Sequence, residues 1–399
     1  MRVTRTLRAT IGAALTGALF LATGGSAVAD QNRDAQWPLT AFGAQDIWKK
    51  ATGKGVTVAV IEKAFRTTHQ DLTGQFLPGK DFPNPTNEDH VGGYLKPGED
   101  LRDHGTSMAG LIAGHGHGPS GSAGVKGLSP GAKILPLTSV GTVPTAIRYA
   151  VDHGADVINM SFGSNSTTPD MCESIHYAVE KGVVVVAGVG NDGSTEKHLP
   201  SACPGAIGVG AVDEYGEVWE RSNYNSAVDL LAPGVDVRVL GGKSDSQYGT
   251  TDGTSVATAY VSAAVALLRE KYPDLTPGQI ANRLVKTASL TPSVKKKHLK
   301  LPDDHYGYGY IVPEAALNEN IPAGPAQGPL PMPKGKASKT PVAAGVKNEA
   351  NPNPNPPMGK GEKLLIFSGI GLGVLVVIGA VVAIVVSRRR KSAGVQSWG

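Results

Sequence analysis

The sequence is poor in charged residues and in cysteine. Charged side chains make up 18 % of the 399 residues, below the ~25 % typical of globular domains. Together with a hydrophobic share of 40 % and a glycine-plus-proline share of about a fifth, this excludes a coiled coil and a wholly disordered chain. The 38 basic and 34 acidic residues leave a net charge of only +4, which gives no reason to propose a nucleic-acid partner. A hydrophobic share of 40 % and 52 glycines instead favour a globular core with many tight turns.

The N-terminal residues have the pattern of a secretory signal peptide. Residues 1–29 carry three arginines among the first eight positions, then an apolar stretch, and end in small residues that include Ala27 and Ala29. This pattern predicts cleavage before Asp30. The alternative is a retained membrane anchor, for which the apolar stretch is short.

A second apolar segment lies near the C-terminus. Residues 364–386 contain no charge, and a helix of this length rises roughly 34 Å at ~1.5 Å per residue, enough to cross a bilayer. Three arginines and a lysine follow within residues 388–391 and place the tail, residues 387–399, in the cytoplasm. The two ends therefore predict a single-pass type I protein of the cell membrane with an extracytoplasmic body.

The two cysteines, Cys172 and Cys203, both lie in that exported body. An oxidising compartment predicts a disulfide that closes a loop of about 32 residues and stabilises the fold by about 3–4 kcal/mol. The alternative is a pair of buried free thiols. Without clustered histidines the two sulfurs make no zinc pattern.

The body and a stalk can be separated by composition. Residues 321–363 are so rich in proline that helix and sheet are blocked, which predicts a semi-rigid stalk or, alternatively, a ligand for a proline-binding domain. Residues 30–320 alternate continuous apolar runs with helical stretches, which predicts an α/β domain with a mostly parallel sheet. The predicted strands are residues 56–61, 133–137, 156–160, 183–187 and 207–212, and the predicted helices include residues 144–154 and 171–182.

Three reactive side chains stand beside glycines or small residues at the ends of predicted elements. Glu62 ends a buried strand, His104 opens a helix rich in small residues, and Ser255 opens a long apolar helix. Carboxylate, histidine and serine follow one of the known chain orders of a nucleophilic triad. A serine hydroxyl needs a histidine to take its proton and an acid to stabilise the resulting imidazolium.

Around these residues the sequence resembles the subtilisin-like serine proteases, over about residues 37–318. The resemblance is carried by the His-Gly-Thr at residues 104–106, the Gly-Thr-Ser at 253–255 and the Asn-Asp-Gly at 191–193. It implies a three-layer fold with the sheet between helices. It also implies that Ser255 is the nucleophile, His104 the general base, and Glu62 the acid, with Asn191 binding the oxyanion. The resemblance further assigns Ser161, Phe162 and Gly163 to a segment that pairs with the substrate backbone.

The order of signal peptide, body, stalk, span and basic tail resembles the mycosins, membrane-anchored subtilases associated with type VII secretion. This resemblance implies a polypeptide substrate, a secretion membrane complex as partner, and an N-terminal extension from Asp30 that wraps the domain. It implies no required cofactor. Structural calcium, which subtilases often bind, leaves no decisive pattern in this sequence.

The acid position departs from the family pattern. Glu62-Lys63-Ala64 stands where the family has Asp-Ser/Thr-Gly, and the extra methylene moves the carboxylate by roughly 1 Å, a displacement that can cost ~10²-fold in rate. Two functions therefore stay open: a working serine endopeptidase, or a catalytically weak or inactive structural subunit of a secretion complex. Outside this site, His115 and His117 lie in a glycine-rich stretch without metal-ligand spacing, which predicts a solvated loop.

Overall fold

The computed structural model describes residues 30–82, 101–139, 142–163 and 170–335, without the side chains of residues 101–103. The predicted signal peptide, membrane span and cytoplasmic tail lie outside these residues, as does the stalk beyond residue 335. None of the helices in the described ranges combines the length and hydrophobicity of a membrane span.

The described strands form one large sheet and two hairpins. The strands are β1 (Thr57–Glu62), β2 (Lys80–Asp81), β3 (His115–His117), β4 (Ala123–Lys126), β5 (Lys133–Thr138), β6 (Val157–Met160), β7 (Val184–Gly188), β8 (Ala206–Val212), β9 (Leu230–Pro233), β10 (Val237–Leu240) and β11 (Tyr248–Thr251). Seven of them make a parallel sheet in the order β2-β5-β1-β6-β7-β8-β9, while β3 with β4 and β10 with β11 pair antiparallel. The predicted α/β class with a mostly parallel sheet is confirmed.

Helices cover both faces of this sheet. The helices are α1 (Gln31–Asp34), α2 (Trp37–Phe42), α3 (Ala44–Trp48), α4 (Leu101–Ala113), α5 (Val143–Asp152), α6 (Asp170–Glu180), α7 (Thr254–Lys271), α8 (Pro277–Thr287), α9 (Pro292–Lys295) and α10 (Pro313–Asn318). Because side chains alternate along a strand, Val58 and Val60 of β1 pack with α4 and α7, whereas Ala59 and Ile61 pack with α5 and α6. The sheet is therefore the middle of three layers.

The first described residues are held against the β3–β4 hairpin. Arg33 donates from Nε to the carbonyl of Gly124 and from Nη2 to that of Ala123, each at 3.0 Å. Gln36 makes a reciprocal pair with the backbone of Lys126, accepting at 2.8 Å and donating at 2.9 Å. Residues 30–36, here called the N-terminal clasp, thus form hydrogen bonds with backbone groups along the outer side of β4.

The predicted disulfide is present. Cys172 of α6 is bonded to Cys203, which lies in the turn before β8, with 5.1 Å between their Cα atoms. The alternative of two free thiols is wrong. The bond links α6 to the turn before β8, the strand that lies two positions from β6 in the sheet.

The prediction of a solvated loop around His117 is wrong. His117 belongs to β3, and its Nδ1 lies 2.7 Å from Oδ1 of Asp71, a carboxylate with no exposed surface. The other oxygen of Asp71 accepts hydrogen bonds from the Tyr248 hydroxyl at 2.9 Å and the Val125 amide at 2.8 Å. This pairing joins residues 46 positions apart, which local sequence spacing does not reveal.

Candidate active site

Strand β1 and helix α4 bring Glu62 and His104 together. Glu62 is the last residue of β1 and is buried, while His104 lies near the start of α4. Glu62 Oε1 is 3.0 Å from His104 Nδ1. Gly105 permits this approach, because a Cβ at that residue would collide with the carbonyl oxygen of Ala64 and lie 3.1 Å from the Cβ of Glu62.

The carboxylate of Glu62 changes the protonation of His104. Its negative charge is the largest cause of a net rise in the pKa of the imidazole above the ordinary value, while desolvation and the charge of Lys63 act in the opposite direction. Within the described residues Glu62 Oε1 accepts no hydrogen bond, so the oxygen lies close to Nδ1 but off the direction of its N–H bond. With Nδ1 turned toward Glu62, Nε2 is the ring nitrogen left to accept a proton from a serine.

Ser255 is the second residue of α7, and its hydroxyl is bound to the end of β6. Ser255 Oγ donates to the carbonyl of Ser161 at 2.8 Å, and Ser161 Oγ donates to the carbonyl of Ser255 at 3.0 Å. Asn159 Nδ2 donates to Ser161 Oγ at 2.9 Å and fixes that hydroxyl. No hydrogen bond joins Ser255 to His104 in the described part of the chain, so the Ser255 hydroxyl must turn away from Ser161 before His104 can take its proton.

Asn191 lies beside the N-terminus of α7, with its side-chain oxygen bonded to Thr254. Its Oδ1 accepts hydrogen bonds from the backbone amide and from the hydroxyl of Thr254, each at 2.9 Å. This fixes the amide plane, and Nδ2 has no hydrogen-bond partner among the described residues. A Cβ at Gly253 would lie 3.6 Å from both Asn191 Nδ2 and the amide nitrogen of Ser255. Two N–H donors therefore face the same space, beside a glycine whose φ is +153°.

The segment Ser161–Phe162–Gly163 continues the direction of β6. Ser161 is buried, whereas Gly163 is exposed. Neither Phe162 nor Gly163 makes a backbone hydrogen bond to another described residue, so their backbone groups are available to an extended peptide. The carboxyl ends of β1 and β6 and the N-terminus of α7 thus place the predicted triad, oxyanion and substrate residues at one edge of the sheet.

One buried histidine beside this edge was not among the predicted site residues. His198 is 8 % exposed and lies against Gly163 and Gly190. The sequence motifs do not include His198, because the residues that it contacts, Gly163 and Gly190, belong to two other loops.

No metal centre is found in the described ranges. They contain no group of three or more His, Cys, Asp or Glu side chains that could hold a metal ion.

A model of the subtilase family matches residues 53–309, which span the site. The chain therefore belongs to the subtilase family.

Individual subtilases are similar over most of the folded body. Fervidolysin from Fervidobacterium pennivorans is 33 % identical over 336 residues, which cover 74 % of this chain and 44 % of that protein. A thermophilic serine proteinase from Bacillus sp. (strain AK1) is 36 % identical over 233 residues, covering 56 % of this chain and 54 % of that protein. The chain thus spans about half the length of these two relatives.

Among solved structures, the chain is similar to MycP1 from the ESX-1 type VII secretion system. The TM-score is 0.62 at 27 % identity, and the match covers 78 % of this chain and 91 % of that one. The expected resemblance to subtilases, with a mycosin among the structural neighbours, is confirmed.

Proposed function

We propose that this subtilase is a serine endopeptidase in which Glu62, His104 and Ser255 form the catalytic triad. The observation that carries the proposal is the 3.0 Å contact between Glu62 Oε1 and His104 Nδ1. It places a carboxylate on the ring nitrogen opposite the one that must accept the serine proton, as a triad requires. The membership of the chain in the subtilase family supports the same chemistry.

In the proposed reaction, Ser255 Oγ attacks the carbonyl carbon of the scissile peptide bond while His104 Nε2 takes the hydroxyl proton. Glu62 stabilises the imidazolium, and Asn191 Nδ2 and the Ser255 amide donate to the developing oxyanion. His104 then gives its proton to the leaving amine. A water molecule, activated by His104 in the same way, hydrolyses the acyl-enzyme and frees Ser255.

The substrate is proposed to be an extended polypeptide that adds a strand beside residues 161–163. The backbone groups of Phe162 and Gly163, which make no backbone hydrogen bond to another described residue, support this mode, since strand addition takes its affinity from main-chain hydrogen bonds. The proposed location is the outer face of the cell membrane, with one C-terminal helix as anchor, as the end segments of the sequence predict.

The test of this proposal is hydrolysis of an unstructured polypeptide by the full chain. We expect cleavage by the native protein and a loss of about 10³-fold or more in Ser255→Ala, because that variant lacks the nucleophile. Glu62→Asp provides a companion measurement, in which a higher rate would show that the longer acid handicaps the native site. Equal cleavage by the native protein and by Ser255→Ala would contradict the proposal.

A second candidate function is that of a structural subunit in a type VII secretion complex with little or no proteolysis. Two observations favour it: Glu62 Oε1 lies off the N–H direction of His104, and the Ser255 hydroxyl is bound to Ser161. The similarity to MycP1 supports the link to secretion. If Ser255→Ala stops secretion while protein level and complex assembly are unchanged, this second function is excluded.

A further inference from the structure

Three oxygen-bearing side chains lie in one row across the sheet, at the edge where the candidate active site is found. Strand β5 lies between β2 and β1, and its last residue, Thr138, is paired in register with Asp81 of β2 and with Glu62 of β1. Paired residues of neighbouring strands project to the same face of a sheet, and the strands are ~4.8 Å apart. The side chain of Thr138 therefore projects beside that of Glu62.

Thr138 and Glu62 are both buried, and each has an oxygen atom without a hydrogen-bond partner. Their exposed fractions are 4 and 5 %. Within the described residues neither Thr138 Oγ1 nor Glu62 Oε1 makes a hydrogen bond. Buried polar atoms are rarely left in this state, because they lose their bonds to water without a replacement. A hydroxyl can donate and a carboxylate oxygen can only accept, so each of the two groups is the partner that the other lacks.

The backbone holds the two residues side by side. The Ser139 amide donates to the carbonyl of Glu62 at 2.9 Å, and the Phe82 amide donates to the carbonyl of Thr138 at 2.8 Å. These bonds belong to the ladder between the strands and fix the spacing of the main chains. Only side-chain torsions can therefore change the distance between the hydroxyl and the carboxylate.

The carboxylate of Glu62 requires a group that fixes its direction. Its Oε1 is 3.0 Å from His104 Nδ1 but lies off the direction of the N–H bond. Lys63, the next residue of the chain, is exposed, and its charge lowers the pKa of His104 whereas that of Glu62 raises it. Asp81 also carries a negative charge, but it belongs to β2, which is separated from β1 by β5. The hydroxyl of Thr138 is thus the donor that the sheet places next to Glu62.

We infer that Thr138 is a positioning residue for the acid of the proposed triad: its hydroxyl donates to the Glu62 carboxylate and turns Oε1 into line with the Nδ1–H bond of His104. A carboxylate oxygen has two lone pairs, so Oε1 can accept from both groups. A rotation of the Thr138 and Glu62 side chains between staggered conformers makes this bond. The inference rests on the proposed function, since it takes Glu62 as the acid of a triad.

The test is Thr138→Val, which keeps the shape of the side chain and removes the hydroxyl. The pKa of His104 is measured in the full chain by NMR of carbon-13-labelled histidine, with His104→Ala to assign the signal. We expect the pKa of His104 to fall toward its ordinary value in Thr138→Val, because a carboxylate that is not held moves away from Nδ1. Thr138→Ser restores the donor and should return the pKa to that of the native protein.

Hydrolysis of an unstructured polypeptide gives a second measurement. We expect kcat to fall by about tenfold or more in Thr138→Val at an unchanged KM, since misplacement of a group by ~1 Å can cost ~10²-fold in rate. Thr138→Ser should recover most of the rate. The matched control is Thr287→Val, at a buried threonine of α8 whose hydroxyl donates to the Arg283 carbonyl at 2.8 Å. It should change neither kcat nor the pKa of His104.

Melting temperatures are compared for all variants. Thr138→Ala also removes the hydroxyl and should give the same shift in the pKa of His104, so the test does not depend on the folding of one variant. The inference is overturned if the pKa of His104 in these two variants equals that of the native protein, or if Thr138→Ser fails to restore it. The NMR measurement requires no turnover, so a lack of hydrolysis by the native protein would contradict the proposed function alone.

Discussion

At the residue scale, the carboxylate of Glu62 controls the proton on His104. It raises the pKa of the imidazole, and a general base must be unprotonated to act. The acidic limb of the rate profile should therefore lie above the ordinary imidazole pKa of ~6.5. Glu62 has a side chain one methylene longer than aspartate. Its negative charge still raises the pKa of His104, although its Oε1 lies off the direction of the Nδ1–H bond.

Glu62→Gln should move that acidic limb to lower pH, because removal of the charge lets the pKa of His104 fall. The maximal rate should also fall, by up to ~10⁴-fold if the ring loses its orientation. The measurement is kcat/KM against pH, with Glu319→Gln, an exposed acid near the end of the body, as control. An unchanged limb in Glu62→Gln would show that Glu62 does not act on His104.

A second carboxylate, Asp229, affects stability rather than chemistry. It is buried beside β9, and burial raises its pKa to about 7 although the Gly208 amide donates to its Oδ2 at 2.8 Å. The unfolded carboxyl ionises near the ordinary pKa of 3.8. Between these values the folded state holds a proton that the unfolded state has lost, so stability decreases as pH rises from about 4 to 7.

Asp229→Asn should remove this loss, since an amide stays neutral and its oxygen can still accept from Gly208. We expect the melting temperature to rise by about 5 °C or more at pH 8 and much less at pH 4. Asp274→Asn, at an exposed site, should change neither value. Equal shifts of Asp229→Asn at both pH values would indicate a packing effect instead of ionisation.

At the scale of elements, apolar runs predicted the buried strands. The hairpins, which depend on contacts with residues distant in the sequence, were not predicted. β1, β5, β6, β7 and β8 lie within two residues of their predicted bounds, because a parallel strand covered on both faces is apolar throughout. The hairpins β3–β4 and β10–β11 are short, and their stability comes from contacts such as the Asp71–His117 pair. Such contacts join distant parts of the chain, so local pattern does not reveal them.

The N-terminal clasp should contribute measurably to stability. Arg33→Ala removes two hydrogen bonds to backbone carbonyls of β4, and bonds from a charged donor contribute about 1.5–3 kcal/mol each before exposure reduces them. We expect a loss of about 1–2 kcal/mol in the free energy of unfolding, measured with urea. Lys54→Ala, at an exposed turn, is the control and should cost little. A loss no larger than that of the control would show that the clasp does not stabilise the domain.

At the scale of the whole molecule, family motifs predicted the three-layer body and the edge of the sheet where the candidate residues meet. The Glu62–His104 contact could be anticipated because motif order and strand ends predict the same place. The bond between Ser255 and Ser161 and the position of His198 could not, since both depend on side-chain rotamers and on loops that fold against each other. The predicted membrane span lies outside the described residues and stays a prediction.

The proposed chemistry requires Ser255 to be an activated nucleophile. A fluorophosphonate probe, followed by mass spectrometry of the labelled peptide, measures this directly in the full chain. We expect a covalent adduct on Ser255 that is absent from Ser255→Ala and forms at least about 10²-fold more slowly in His104→Ala, which lacks the base. Labelling of the native protein no stronger than that of Ser255→Ala would show that Ser255 is not an activated nucleophile.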